Sequence, residues 1–343
     1  MHSSRTAKAN RTKTLLVGGA LLIAGLALLI FGWSTPSLVL AAKAAMVLIG
    51  IVLVFQGTNR LIEAIRGERV DLLFGASMVW LVLIIALAIL APFLPLGEHN
   101  DVAKSLMNET NVPPKLLSEN PLGTNNQGLD LLSRAIHGAR TSLMISLLAV
   151  AIGTVVGGAV GVVAGYFRKG VDSAIGILTN ALLAVPPLIL LIALSTFLDP
   201  SVRNMALALS LLTIPGMVRL ARANTISFAQ REFVMAARLM GANRMRVMVR
   251  ELVPNVVFPV FSMAVVMISV LIVAEASLSF LGLGIQQPDP TWGNMISEGE
   301  GGVMEDYPHI VLVPGVFLFL TVFAFNLLGE KAQKKWDTRS AKL

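Results

Sequence analysis

A lone carboxylate and a run of arginines are the residues of this sequence best placed to do chemistry. Glu275 is the one acidic residue well inside an apolar run, that of residues 256–283. An ionisable group in such a run is expensive to bury and is by default a candidate functional residue. Its other reading is structural, a hydrogen-bonded carboxylate near the outer end of its helix, and both stay open. Nothing resembles an enzyme constellation. His2, His99, His137 and His309 are scattered without zinc-ligand spacing. A glycine-rich phosphate loop ending in Lys-Ser/Thr is absent, as is a G-x-S-x-G nucleophile elbow. With no cysteine there is no thiolate nucleophile, disulfide or Cys-bound metal. The expectation is a non-enzyme with no catalytic residues, no metal and no cofactor of its own.

The arginines lie in segment 221–254, the most basic stretch of the chain. Ser227 followed by Gln230 has capping-box spacing, so a helix is expected through 231–240. Gly241 suits the left-handed conformation that ends helices, and Asn243 can cap a second helix, 244–252, that stops before Pro254. Ala236 and Ala237 leave this element a small-residue surface with Arg around it, suited to docking in a groove. A basic hairpin lying on anionic lipid is the alternative. Two further patterns concern helices. Gly153, Gly157, Gly161 and Gly165 repeat every fourth residue, which clears one stripe for close approach by another backbone, in the same chain or a partner. Pro186-Pro187 removes two backbone donors and predicts a kink; kinks can line a pathway or be purely structural.

What must position these residues is a set of membrane helices. Of the 343 residues, 55% are apolar and 14% charged, with a mean hydropathy of +0.76, whereas soluble domains carry about 25% charged residues. The net charge of +7 does not indicate nucleic acid in so apolar a chain. Crossing a bilayer takes about 20 apolar residues. Eight runs qualify, near 15–33, 38–55, 76–96, 142–167, 174–198, 205–220, 256–283 and 310–328. The first has basic residues ahead of it but reads as an uncleaved helix, because a second run follows at once. With both termini in the cytoplasm, 21 of the 27 Lys and Arg fall inside, as the positive-inside rule requires. Segment 97–138 then lies outside, its end (129–140) amphipathic and suited to the membrane surface, and segment 221–254 lies inside. The expected fold is all-α and polytopic, with a two-helix extension (1–75) before a six-helix region (76–343).

Several segments carry a family resemblance. Ala236-Ala237, Gly241 and Pro254 have the spacing of the EAA loop of ABC-importer permeases. More specific is the run Glu275-Ala276-Ser277-Leu278-Ser279-Phe280-Leu281-Gly282-Leu283-Gly284, followed by Pro290-Thr291-Trp292-Gly293-Asn294-Met295. This resembles the C-type permease subunit of dipeptide and oligopeptide importers, whose near relatives carry nickel. Asn120-Pro121-Leu122-Gly123-Thr124 and Gly138-Ala139-Arg140-Thr141-Ser142-Leu143 are similar to that family's segment before its second helix.

The resemblance implies a permease in the cell membrane that pairs with a homologous sister permease. Two ATPase subunits, which bind ATP and Mg, dock from the cytoplasm, and an extracytoplasmic binding protein delivers substrate. Carried over by position, the ATPase-coupling residues are Glu232, Ala236, Ala237, Arg238, Gly241, Ala242, Asn243 and Pro254. Three departures stand out. Met235 occupies the place of the usual Glu before the alanines, so Glu232 must substitute if an ion pair is kept. The G-R-D before the second helix reads Gly128-Leu129-Asp130, and the family has six helices where this chain has two more. Nickel or another small solute is the alternative cargo. A proton-coupled carrier is the rival from a different class, opposed by the scarcity of buried charge, and a membrane scaffold is a third reading.

Overall fold

The computed structural model describes residues 14–28, 40–66, 71–115 and 118–340. Among them the chain is helical, with one isolated bridge, Thr124 to Asp130, and no strand. Two compact units are present, Met1–Ala76 and Ser77–Leu343.

In the first unit, α1 (Thr14–Leu28) packs on α2 (Leu40–Arg66). Glycines make this possible: a Cβ on Gly25 would stand 2.6 Å from the Val54 nitrogen, and one on Gly57 would stand 2.8 Å from the Gly18 oxygen. Residues 29–33 and 38–39 of the first two expected spans, and the basic N-terminus (1–13), lie outside the described residues.

Among the described residues five helices are long and apolar enough to cross a membrane, and a sharply bent pair makes up to six. In chain order they begin with α3 (Leu72–Leu90), a short α4 (Val102–Ser105) in the loop that follows, and α5 (Leu131–Phe167). The bent pair is α6 (Lys169–Ala184) and α7 (Pro187–Ser195), which meet at 85° across Val185-Pro186. So large an angle fits a position where neither proline can donate to the turn before it. Next come α8 (Val202–Phe228), the short α9 (Glu232–Leu239) and α10 (Arg244–Arg246), which runs on into α11 (Val253–Phe280). Helices α12 (Trp292–Ser297), α13 (Val303–Asp306) and α14 (His309–Ser340) complete the chain.

The centre of the second unit is the seam between α5 and α8. A Cβ on Gly153 would meet the Thr213 Cβ at 2.5 Å, one on Gly157 the Ile214 oxygen at 2.7 Å, one on Gly161 the Val218 oxygen at 2.5 Å and one on Gly165 the Arg222 oxygen at 2.7 Å. The glycine stripe is therefore filled by α8 of the same chain. Helix α11 packs against α5, α8 and α14, and Trp80 joins α3 to α14 through an indole hydrogen bond of 3.0 Å to Thr321.

Three local expectations need correction. Segment 129–140 is not a surface helix but the first turns of α5, with Leu131, Ala135 and Ala139 fully buried. Its amphipathic pattern reflects Ser133 and Arg134, polar residues that are also buried. Ser227 does not start a helix, because α8 runs on to Phe228 and α9 starts at Glu232 with Arg231 before it. Pro254 does not follow a helix end. A π-type stretch, Val247–Leu252, carries the chain into α11, whose first turn holds Pro254, and a first turn is where a missing N–H costs least.

Candidate functional site: two ends of the helical unit

At one end, the basic segment makes a helix, a turn and the root of α11. Helix α9 closes with paired hydrogen bonds, Gly241 N–H to the Arg238 carbonyl at 3.0 Å and Ala242 N–H to the Ala237 carbonyl at 3.1 Å. This Schellman closure needs a left-handed residue, and Gly241 has φ +82°. The Asn243 side chain then accepts the Arg246 N–H at 2.8 Å and caps α10. Ala236 and Ala237 do not share a face. Ala237 is buried with Val234 in the core, whereas Ala236 faces out. The outer surface is instead tipped by Leu239 and Met240, 88% and 82% exposed. Arg238 lies over the Tyr166 ring at 5.7 Å, which orients it. Glu232 is exposed and makes no ion pair among the described residues. Beside α9 lies a cavity of about 650 Å³ lined by Phe228, Gln230, Arg231, Glu232, Phe233 and Asn255.

Glu275 sits toward the opposite end, fully buried inside the unit. Ser279 donates to its Oε1 at 2.7 Å, and the hydroxyls of Ser142 and Thr291 stand beside the same carboxylate. Thr291 also caps α12: its hydroxyl accepts the Asn294 N–H at 3.1 Å, and Asn294 Oδ1 accepts the Thr291 N–H at 2.9 Å. The adjoining Trp292 is fully buried and donates to the Ala135 carbonyl at 3.0 Å. A Cβ on Gly293 would lie 2.3 Å from the Ala276 oxygen, so α12 presses directly on the α11 backbone. The segments 275–284 and 290–295 thus form one knot between α5, α11 and α12, with Glu275 at its centre. Among the described residues Pro186 and Pro187 are exposed and lie at the α6–α7 bend, away from this knot in sequence.

Sequence reasoning missed a second buried charge. Arg134, fully buried in the first turn of α5, is ion-paired with Glu298, and it donates to the carbonyls of His99 at 3.0 Å and Pro288 at 3.2 Å. Asn125 holds the other Glu298 oxygen at 2.9 Å. Asp130 caps α5 by accepting the Leu132 and Ser133 N–H groups, and burial pushes its carboxyl up against those lowering bonds. A charged pair at this depth needs partners on every side. Here both terminal guanidinium nitrogens and both carboxylate oxygens have partners, which draw residues 99, 125, 134, 288 and 298 together, while Arg134 Nε is buried without one.

Comparison with known proteins agrees with this architecture. Residues 153–339 match the family described as "Binding-protein-dependent transport system inner membrane component". The dipeptide transport system permease protein DppC of Alkalihalophilus pseudofirmus is 32% identical over 77% of this chain and 86% of its own. The glutathione transport system permease protein GsiD of Pectobacterium atrosepticum is 34% identical over 77% and 86%. The di/tripeptide transport system permease protein DppC of Pseudomonas aeruginosa is 34% identical over 77% and 87%. Among solved structures, a chain of the inward-facing MetNI methionine ABC transporter superposes with a TM-score of 0.50 at 18% identity, covering 60% of this chain and 97% of that one, which bears on the fold alone. This chain is a multi-pass membrane protein and belongs to the family of inner-membrane permease components of binding-protein-dependent ABC importers.

Proposed function

We propose that this chain forms one half of the translocation pathway of an importer for short peptides. The cargo follows the relatives, whose names specify dipeptides, di/tripeptides and glutathione. The other half is a homologous sister permease, two ATPase subunits supply ATP and Mg chemistry, and a binding protein delivers the peptide outside. Both termini and the loop carrying α9 face the cytoplasm, because Lys and Arg concentrate there. Helix α9 is the element that passes ATPase closure to the membrane helices. The observation carrying this reading is the tip at Leu239 and Met240. Two large apolar side chains stand 88% and 82% exposed beside arginines, held out by a left-handed turn at Gly241. An apolar knob in a basic rim suits a protein groove better than open water.

The test is uptake of radiolabelled trialanine by proteoliposomes holding the sister permease, both ATPases and the binding protein. Leu239→Glu should retain assembly through the membrane helices but lower uptake by about tenfold or more, the scale of one interfacial hot spot. Gly241→Val should act similarly, since a left-handed conformation costs a β-branched residue at least about 1–2 kcal/mol. Gly241→Asn, which tolerates that conformation, should stay close to wild type. Normal uptake by both Leu239→Glu and Gly241→Val would remove α9 from the coupling role.

A further inference from the structure

The end of the unit opposite α9 holds a cavity of about 570 Å³ that neither the coupling element nor the Glu275 knot accounts for. Its lining includes His99, His137, Arg140, Thr141, Gln287 and Asp289. That volume falls within the range of small-molecule sites. The walls are built rather than incidental. Buried Arg134 holds the carbonyls of His99 and Pro288, one on each side. Asn100 bonds Asp289 Oδ1 at 3.2 Å across the rim, and Asn294 fixes the same strand of chain through the carbonyls of Ile285 at 3.1 Å and Asp289 at 2.8 Å. The imidazoles of His99 and His137 stack at 3.6 Å, and His137 Nδ1 is held by the Ser133 carbonyl at 3.0 Å.

Against these fixed walls the charged lining groups have capacity to spare. Arg140 is exposed, with no hydrogen bond or ion pair among the described residues, and it offers a fork suited to a carboxylate. Asp289 keeps its second oxygen free of the Asn100 bond, which leaves an acceptor for an ammonium. Thr141 and the Gln287 amide add neutral polar groups. The cavity therefore offers one cation and one anion within a preorganised polar wall, complementary to a small zwitterion.

We propose that this cavity is an extracytoplasmic reception site for a short peptide with both termini free, its carboxylate on Arg140 and its ammonium on Asp289. The assignment rests on the peptide reading and on the orientation given above. It adds a selection step, because a peptide blocked at either end would leave one charge of the site unpaired.

Arginine modification by phenylglyoxal, read by mass spectrometry in the complete complex in nanodiscs, tests this directly. Arg140 should react in the unliganded complex, and millimolar trialanine should slow that reaction at least about threefold, as expected when a charge-assisted pair covers the guanidinium. Trialanine amide and N-acetyl-trialanine should each protect far less. In Asp289→Asn, N-acetyl-trialanine should protect as well as trialanine does. Equal protection by either blocked peptide, or none by trialanine, overturns the site. So does an Arg140 that fails to react in the unliganded complex, or that is shielded by the binding protein without any peptide. Trialanine uptake by the same preparation separates the two readings. Uptake without protection removes the cavity site and leaves the importer reading; protection without uptake leaves a peptide-binding cavity and removes trialanine as cargo.

Discussion

Adding one methyl group to the seam between α5 and α8 should separate two glycines that look alike in the sequence. A Cβ on Gly161 would stand 2.5 Å from the Val218 oxygen, 2.7 Å from the Ala221 Cβ and 3.1 Å from the Arg222 nitrogen. Two of these neighbours are backbone atoms and the third is fixed to backbone, so no rotamer change can make room. Ordinary contact begins near 3.4 Å, which leaves the methyl about 0.9 Å too close, and the two helices must move apart by a comparable distance. Gly157 and Gly165 make their own close approaches one turn to either side, so that movement loosens the seam along its length. Overpacking of this kind costs about 1–3 kcal/mol, against which alanine recovers about 0.5–1 kcal/mol of helix preference. Gly158 is the control, with its nearest neighbour, Val260 Cγ1, at 3.8 Å. Gly158→Ala should therefore be neutral or stabilising, while Gly161→Ala should be less stable by about 1–2 kcal/mol. Thermal or SDS-titrated unfolding of the detergent-purified permease measures both. If Gly161→Ala proves as stable as Gly158→Ala, the helices are not in the close contact described.

Two further outcomes follow from the other end of the unit. Glu275→Gln keeps the size and hydrogen bonding that meet Ser279, whereas Glu275→Leu leaves the hydroxyls of Ser142, Ser279 and Thr291 facing an apolar group, at about 1–3 kcal/mol for each polar group left unpaired. Uptake and stability should therefore fall much further in Leu than in Gln, and uptake abolished equally in both and dependent on a proton gradient would point to proton coupling instead. His99 is held below its ordinary pKa of 6.5, first by burial and then by the charge of His137 and of Arg134, with Glu98 and Asp289 opposing. Its folded value is depressed, so its contribution to stability is complete above 6.5 and is lost as pH falls through the lower folded value. The protection factor of the loop around His99 (hydrogen exchange corrected for its intrinsic pH-dependent rate) should fall from about pH 8 to about pH 5 in wild type and much less in His99→Gln; an identical fall in both would assign the effect to another group.

How much of this was legible beforehand depends on how far apart the interacting residues lie. Apolar runs, the four-residue glycine repeat and the Gly241–Asn243 turn are local signals; among the described residues the runs from 76 onward correspond to helices, that of 174–198 to a bent pair, and the other two signals to a seam and a cap. Helix starts and ends governed by longer-range packing were misread. Ser227 has capping spacing, yet the turn it would open is continued by α8, and Thr225, which precedes it, bonds back to the Ala221 carbonyl at 2.7 Å as a residue inside a helix does. The pairing of Arg134 with Glu298 spans 164 residues. Neither residue is conspicuous alone: Glu298 lies in a polar stretch where charge reads as solvation, and Arg134 lies in a segment that reads as an amphipathic surface helix. The one available signal was an arginine within an otherwise apolar helical face, 131–139, which a membrane-surface helix explained equally well.

The two alanines of the proposed coupling element show why residue type and spacing stop short of a site. Neighbours on a helix differ by about 100° in direction, so Ala236 and Ala237 cannot both present one surface unless the groove wraps the helix. The structure assigns Ala237 inward, against Val234 and the root of α11, and Ala236 outward, beside the apolar tip. Their shared smallness thus serves two packings. Ala237 lets α9 lie close on its own permease, and Ala236 leaves room for whatever rests on its outer side. An element packed tightly on one face and open on the other can transmit a push only if the inner contact is stiff. That stiffness comes from the Schellman closure at Gly241, the Asn243 cap and the continuous path from α10 into α11. The same α11 carries Glu275 near its far end, where the knot with α12 borders the walls of the opposite cavity. One continuous helical path therefore joins α9 to the proposed reception site. Displacing α9 must either move that knot or bend α11, and its one internal proline beyond the first turn is Pro259.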